Sequence, residues 1–190
     1  TLWTDMNKAD PLTLHAVRDM MNDYRCIRKE FEGYTNLKPH DTVMRHRHML
    51  DYIKTHFLGR VVTDSRSEAG NWLGFTLEHI DKGHAVLTMP VRKEMTNPYG
   101  NIHGGMMSLV IDEAIGWAVV SLDAAQHYTS MTLNLDFLYA IKEGETLKAE
   151  SKVLREGKKI INVECHVYDL NGRILARANS NLIATHMEFN

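Results

Sequence analysis

The chain has 190 residues, 44% hydrophobic and 24% charged, which is the composition of a globular protein with a sizeable core. Its formal net charge of −2 at pH 7 excludes a general electrostatic attraction for nucleic acid or anionic membranes. No apolar run approaches membrane-spanning length, the N-terminus is unlike a signal peptide, and Cys26 and Cys165 lie in apolar patterns typical of free thiols, so a cytoplasmic location is expected.

Two helices are predicted in the N-terminal third of the chain. Asp10 and Pro11 form a favourable helix start, because a capping side chain precedes a proline at the first helical position. Apolar residues then recur at helical spacing: Leu14, Val17, Met21, Tyr24, Ile27 and Phe31. Asp41 is placed to cap a second helix, whose apolar stripe is Val43, Leu50, Ile53 and Phe57. We therefore predict a helical extension over residues 1–64, followed by a main domain over residues 65–190.

The main domain reads as strands on either side of one long helix. Alternating apolar residues around the turn at residues 81–83 predict a β-hairpin, and an apolar helix is predicted from Gly104 to about Leu122. Four further strands are predicted around residues 131–139, 147–153, 161–167 and 173–185, separated by short glycine turns. Short turns favour antiparallel pairing, and a helix without a polar face must be wrapped by the sheet. The predicted class is α+β.

A polar loop, residues 97–105, runs directly into this helix and is the most informative segment. Asp112 lies inside the apolar helix, although burying a lone carboxylate costs several kcal/mol unless it is paired. The helix start supplies N–H groups that attract developing negative charge. Helical spacing places Gly105, Ser108, Asp112 and Gly116 on one strip, where small neighbours leave a slot beside the carboxylate. These are the parts needed to hydrolyse an activated carbonyl.

The loop, helix and strands over residues 72–185 resemble the hotdog-fold acyl-CoA thioesterases of the phenylacetate-degradation (PaaI-like) type. The family pattern Asn-Pro-x-Gly-x-x-His-Gly-Gly, with an aspartate nine residues after the histidine, is matched by Asn97, Pro98, Gly100, His103, Gly104, Gly105 and Asp112. The strand at residues 128–138 also resembles the family's strand after the central helix. The resemblance implies a hotdog fold, with an antiparallel sheet wrapped around a long central helix. The N-terminal helical extension is not part of this pattern.

The resemblance also implies residue roles. The Gly104 N–H would bind the thioester carbonyl oxygen, and Asp112 would act as general base or as nucleophile. Asn97 would orient the attacking water or hold the thioester, and His103 would shape the loop near the oxyanion. Ser130 matches a position that helps to hold the lytic water in some members. The strand alternation instead groups Ser130 with polar neighbours on a solvated face.

Substrate contacts are predicted for Gly105 and Ser108 in the slot, and for Arg155 and Lys158 at a basic turn that could meet the phosphates of coenzyme A. Each has a structural alternative. The small residues could serve close packing, exposed turns are commonly basic, and Asp112 could cap a loop or pair across a dimer. Met106 and other bulky residues of the opposite strip suit packing against the sheet.

No metal and no cofactor are predicted. His46 and His48 diverge on a helix because they are two residues apart, so a solvated face explains them better than a metal site. Asp51 and His56 match the Asp-x4-His spacing of hotdog hydratases, but they sit in the extension and away from any suitable loop. Glu113 is interpreted as an interface or surface charge rather than as a catalyst.

The resemblance implies a homodimer as the minimal active unit, paired again into a homotetramer, with acyl-CoA as substrate and no nucleic-acid or membrane partner. An alternative is a non-catalytic acyl-CoA-binding regulator with an N-terminal DNA-binding region. The first 60 residues carry ten Lys and Arg against eight Asp and Glu, an excess too small to predict DNA binding. A structural hotdog subunit without activity is a third possibility. The acyl group stays open.

Overall fold

The computed structural model describes residues 42–124 and 126–185, with side chains from residue 49 onward. The chain divides into two compact units, Thr1–Val43 and Met44–Asn190. The first predicted helix, Cys26 and most of the candidate DNA-binding region lie outside the described residues. The boundary at residue 64 stays a prediction.

The second unit combines three helices with a six-stranded antiparallel sheet. The helices are α1 (Thr42–His56), α2 (Glu68–Leu73) and α3 (Gly104–Val120), and the strands are β1 (Thr76–Asp81), β2 (His84–Pro90), β3 (Tyr128–Phe137), β4 (Thr146–Glu156), β5 (Ile160–Asp169) and β6 (Ile174–Ala184). The strand order is β1-β2-β4-β5-β6-β3. The predicted sequence of two strands, one long helix and four strands is therefore confirmed.

The position of β3 differs from the expectation for strands joined by short turns. β3 pairs antiparallel with β6, and β4 pairs with β2 and β5 instead. The segment between β3 and β4 leads from the edge of the sheet, where β3 lies beside β6, to the position of β4 between β2 and β5. Backbone hydrogen bonds hold this segment, from Ile102 to Ile141 and from Gly144 to Val91. The predicted antiparallel pairing is confirmed, and loop contacts rather than turn length place β3 beside β6.

The central helix α3 packs one face against the sheet and contributes eight buried residues to the core. Trp117 lies edge-on to Phe57 and Phe75, with ring centroids 5.3 and 5.9 Å apart. Burying side chains of this size stabilises the fold by about 1.5–3 kcal/mol each. The expected arrangement, an antiparallel sheet wrapped around this helix, is confirmed, but the sheet leaves one side of the helix open. Gly105, Asp112 and Gly116 form an exposed strip, because no element within the described ranges covers this side of α3.

The two edge strands of the sheet differ in how far their backbone groups are hydrogen-bonded. Residues 58–62 run along β1 and bond to it, with the Gly59 and Val62 N–H groups donating to the carbonyls of Leu77 and Phe75. At the other edge, β3 bonds only to β6 among the described strands, and most of its residues are exposed. Open strand edges template further pairing. The edge at β3 is thus available to another chain.

Helix α2 was not predicted from the sequence. Ser67 caps its start by accepting a hydrogen bond from the Gly70 N–H, and Gly74 ends it in the left-handed conformation at φ 63°. A capping serine followed by a glycine seven residues later is a recognisable helix signal, but the apolar residues nearby favoured an earlier strand start. No described helix is long and apolar enough to cross a membrane.

Candidate active site

The site is built around the start of α3, which His103 caps. The His103 Nδ1 accepts the Gly105 N–H at 2.9 Å, and the amides of Met106 and Met107 bond to the His103 carbonyl. The His103 N–H donates to Met95, which fixes the loop on the preceding 3-10 turn. The Gly104 N–H is not among these capping donors. A helix start with such an amide attracts negative charge.

Asn97 organises the loop that leads into this helix. Its Oδ1 accepts the N–H groups of Tyr99 at 2.9 Å and Asn101 at 3.3 Å. Gly100 lies between them at φ 75°, a backbone conformation that favours glycine. The observed contacts of the Asn97 oxygen are therefore structural. A role in orienting water stays a prediction.

Asp112 lies on the exposed strip of α3 and not in the core. The apolar helix suggested a buried carboxylate, and within the single chain this interpretation was wrong. Most residues of the helix are apolar, but helical periodicity turns the Asp112 side chain away from the sheet. The Ser130 hydroxyl of β3 donates to Asp112 Oδ1 at 3.1 Å. The two predicted residues thus come together, 18 positions apart in the chain.

A β-bulge explains why Ser130 faces the helix. Ser130 is paired with Leu182 and Thr132 with Asn181, so Met131 is an extra residue in β3. Leu182 is buried in the core, whereas Asn181 bonds to Thr132 on the opposite face. Simple alternation would put Ser130 and Thr132 on the same face. The bulge separates them and aims Ser130 at Asp112, while Ser130 stays exposed as the strand alternation predicted.

An open groove of about 480 Å³ runs between α3 and β3. Its lining residues are Gly105, Ser108, Leu109, Asp112, Ser130, Met131, Thr132 and Leu133. The predicted slot residues Gly105 and Ser108 are among them, whereas Gly116 is not. The apolar lining from β3 was missed, because only the pairing of β3 with β6 brings this strand beside the helix. The groove thus presents one carboxylate among three hydroxyl side chains and three large apolar side chains.

Glu113 has a different environment from its neighbour. It is half-buried, it accepts a hydrogen bond from the Ser67 hydroxyl, and its carboxylate lies directly on Gly70. Burial raises the pKa of Glu113 above its usual value, and the nearby charge of Asp112 raises this pKa further. A surface charge was the wrong interpretation. Glu113 instead joins α3 to the start of α2.

The basic turn between β4 and β5 lies outside the lining of the groove. Arg155 and Lys158 are both exposed, and neither forms an ion pair within the described part of the chain. The turn contacts the start of β3, where the Tyr128 hydroxyl donates to the carbonyls of Gly157 and Lys158. This turn therefore stands near the strand that carries Ser130.

Among the described residues, the other candidate sites considered from the sequence do not form. No group of three metal-binding side chains occurs in the described part of the chain, and the side chains of His46 and His48 lie outside it. The His56 ring contacts the carbonyl of Tyr52 rather than Asp51. Burial raises the pKa of Cys165 to about 12, so this free thiol is neutral at physiological pH and unsuited to nucleophilic attack.

Similar proteins identify the family of this chain. A protein of Saccharolobus solfataricus, provisionally named an esterase, is 31% identical over 113 residues, which is 60% of this chain and 75% of that protein. The profile of the thioesterase superfamily matches residues 99–176, which include the helix start and Asp112. The chain belongs to the thioesterase superfamily. This membership confirms the predicted family and the enzyme class, thioester hydrolase.

Two further proteins are similar to this chain in structure, and one of them also in sequence. The acyl-coenzyme A thioesterase PaaI of Escherichia coli is 34% identical over 98 residues, covering 52% of this chain and 65% of PaaI. Its structure superposes with a TM-score of 0.64 at 20% identity, over 77% of this chain and 98% of PaaI. A Streptococcus mutans protein bound to acetyl-CoA gives a TM-score of 0.57 at 23% identity, over 60% of this chain and 91% of that protein. The predicted hotdog fold is confirmed.

Proposed function

We propose that this thioesterase-superfamily protein hydrolyses an acyl-CoA to the free acid and coenzyme A. The observation that carries the proposal is the pair of Asp112 and Ser130 in the groove, with their side chains 3.1 Å apart. Relatives include a named acyl-coenzyme A thioesterase and a protein bound to acetyl-CoA. Both support a coenzyme A thioester as the substrate.

Each group has a defined task in this proposal. Asp112 removes a proton from the water that attacks the carbonyl carbon, or attacks this carbon itself to form an anhydride that water then hydrolyses to the free acid. Ser130 holds the carboxylate toward the groove. The Gly104 N–H donates to the carbonyl oxygen as it becomes negative, which typically lowers the barrier by ~3 kcal/mol. When the C–S bond breaks, the thiolate of coenzyme A leaves and takes up a proton. Asn97 and His103 keep the loop and the helix start in place.

The length of α3 supports a site shared between two copies. Gly104 and Asp112 are eight residues apart, so about 12 Å of helix separates them. One carbonyl group is too small to reach both within a single chain. A second copy with an antiparallel α3 would bring its own Gly104 beside this Asp112. The open edge of β3, and the covered edge at β1, favour a homodimer through β3; pairing of dimers into a homotetramer is the further expectation.

The basic turn provides a candidate contact for the phosphates of coenzyme A. Arg155 and Lys158 are exposed cations that form no ion pair among the described residues, and their turn lies beside the start of β3. The charge-reversed variant Lys158→Glu should raise KM for acyl-CoA and leave KM for an acyl-N-acetylcysteamine unchanged, because the short thioester has no phosphate. Lys142→Glu, in the loop after β3, is the matched control. The buried free thiol of Cys165 fits the proposed cytoplasmic setting.

The decisive experiment measures thiol release from a panel of acyl-CoA thioesters by wild type, Asp112→Ala and Glu113→Gln. Asp112→Ala should lose about a hundredfold or more in kcat, in line with removal of a general base. Glu113→Gln removes the adjacent carboxylate, which faces Ser67 and not the groove, and should retain activity. A wild-type protein that hydrolyses no member of the panel, or an Asp112→Ala variant with a wild-type kcat, would overturn the proposal.

A further inference from the structure

Phe137, the last residue of β3, lies against the candidate oxyanion donor. Its ring tip, Cζ, is 3.1 Å from the position that a Cβ on Gly104 would occupy, and both Cε atoms are 3.6 Å from it. Glycine makes this close approach easy, because a Cβ at residue 104 would require the ring to move by a few tenths of an ångström. The first turn of α3 and the end of β3 are thus joined by one aromatic side chain.

The ring is nevertheless accessible from outside the chain. Phe137 is 58% exposed, whereas Leu133 and Leu135, on the same side of β3 after the bulge, are half-buried against the core. Leu133 also lines the groove, so the apolar side of β3 runs from the groove to the Phe137 ring beside Gly104.

Bond lengths place a bound thioester within reach of the ring. A carbonyl oxygen accepting from the Gly104 N–H stands about 2.9 Å from the nitrogen, and both substituents of the carbonyl carbon follow within about 3 Å more. The ring that touches the same glycine is therefore within reach of one substituent. One substituent is the sulfur that carries pantetheine, whose amides need hydrogen-bond partners that a phenyl ring does not provide. The other substituent is the apolar acyl chain, which packs more favourably against the ring.

We propose that Phe137 selects acyl groups that are unbranched at the carbon next to the thioester carbonyl. The ring meets Gly104 end-on, so a methylene group fits beside it, but a second or third substituent on that carbon collides with the ring. This inference rests on the proposed thioesterase activity and defines the substrate class of the same site. Contact selectivity for one methyl or methylene group is typically about 10–200-fold in kcat/KM.

The test compares butyryl-CoA, isobutyryl-CoA and pivaloyl-CoA with wild type, Phe137→Leu and Phe137→Ala. Wild type should prefer butyryl-CoA over isobutyryl-CoA by about tenfold or more, and Phe137→Ala should largely remove this preference by accepting the branched substrates. Phe137→Leu should lie between them. Tyr139→Ala is the matched control: Tyr139 is also 58% exposed, but its ring packs on Arg173, so the preference should not change.

The outcomes separate this inference from the proposed function. A wild type that hydrolyses butyryl-CoA without preference over the branched substrates, or a preference that survives Phe137→Ala, overturns the inference alone. A wild type inactive on every thioester overturns the proposed function and this inference with it.

The contact between Phe137 and Gly104 can also be tested by thermal unfolding, without measuring catalysis. Gly104→Ala should lower the melting temperature less in the Phe137→Ala background than in wild type, and equal losses in both would contradict the packing argument.

Discussion

Replacing Gly70 by alanine should destabilise the protein, although alanine is the better helix former. Gly70 lies within α2, and a Cβ there would stand 2.6 Å from Glu113 Oε2 and 2.9 Å from Glu113 Cδ. Real Cβ atoms do not approach other atoms so closely, so the carboxylate must move. It would leave the Ser67 hydroxyl, which donates to Glu113 while it accepts from the Gly70 N–H at 3.0 Å.

The opposing contributions can be compared. Alanine gains about 1 kcal/mol over glycine inside a helix. The clash itself is relieved at little cost, because the clashing atoms are the far end of the flexible Glu113 side chain, but losing a hydrogen bond to a charged group costs about 1.5–3 kcal/mol. The balance is a net destabilisation of about 0.5–2 kcal/mol. For a unit of this size, the melting temperature should fall by roughly 1–8 °C.

Urea unfolding of Gly70→Ala, Glu113→Ala and the double variant measures this coupling. Removing the Glu113 carboxylate makes room for the methyl group, so Gly70→Ala should be neutral or stabilising in the Glu113→Ala background. A non-additivity of about 2 kcal/mol or more is expected, as for residues in direct contact. Gly70→Ala that stabilises the wild-type protein, or costs that add without coupling, would refute the reasoning.

Two other perturbations test neighbouring features. Burial raises the pKa of Glu113, so the folded protein binds this proton more tightly than the unfolded chain, and wild type should lose stability as pH rises from the usual glutamate pKa through the raised value. Glu113→Gln should lack this loss in melting curves across that range, and parallel curves for the two proteins would contradict the assignment. Deleting Met131 should remove the bulge, turn Ser130 away from Asp112 and reduce kcat at least as much as Ser130→Ala. Met131→Ala keeps the extra residue and should retain activity; equal losses in the deletion and the substitution would show that the side chain, not the bulge, matters.

Much of the fold was predictable because its signals are local. Period-two alternation predicted the strands, and a continuous apolar run predicted a helix from Gly104 to about Leu122, against an observed end at Val120. The loop motif located the helix start and Asp112 with it. These inferences need only the side-chain period and the chemistry of helix ends, which are properties of neighbouring residues. Helix α2 was missed although its capping serine and terminal glycine were visible.

The sequence by itself determined the order of the six strands and the long helix, the start of that helix and the identity of the candidate carboxylate. Tertiary structure alone decided that β3 lies beside β6, that a bulge at Met131 aims Ser130 at Asp112, and that Glu113 rests on Gly70 while Asp112 is exposed. Strand order and bulges follow from hydrogen bonds between segments about fifty residues apart. The burial of two adjacent carboxylates depends on which element packs over each. No local pattern encodes either property, because both arise only when distant parts of the chain compete for the same surface.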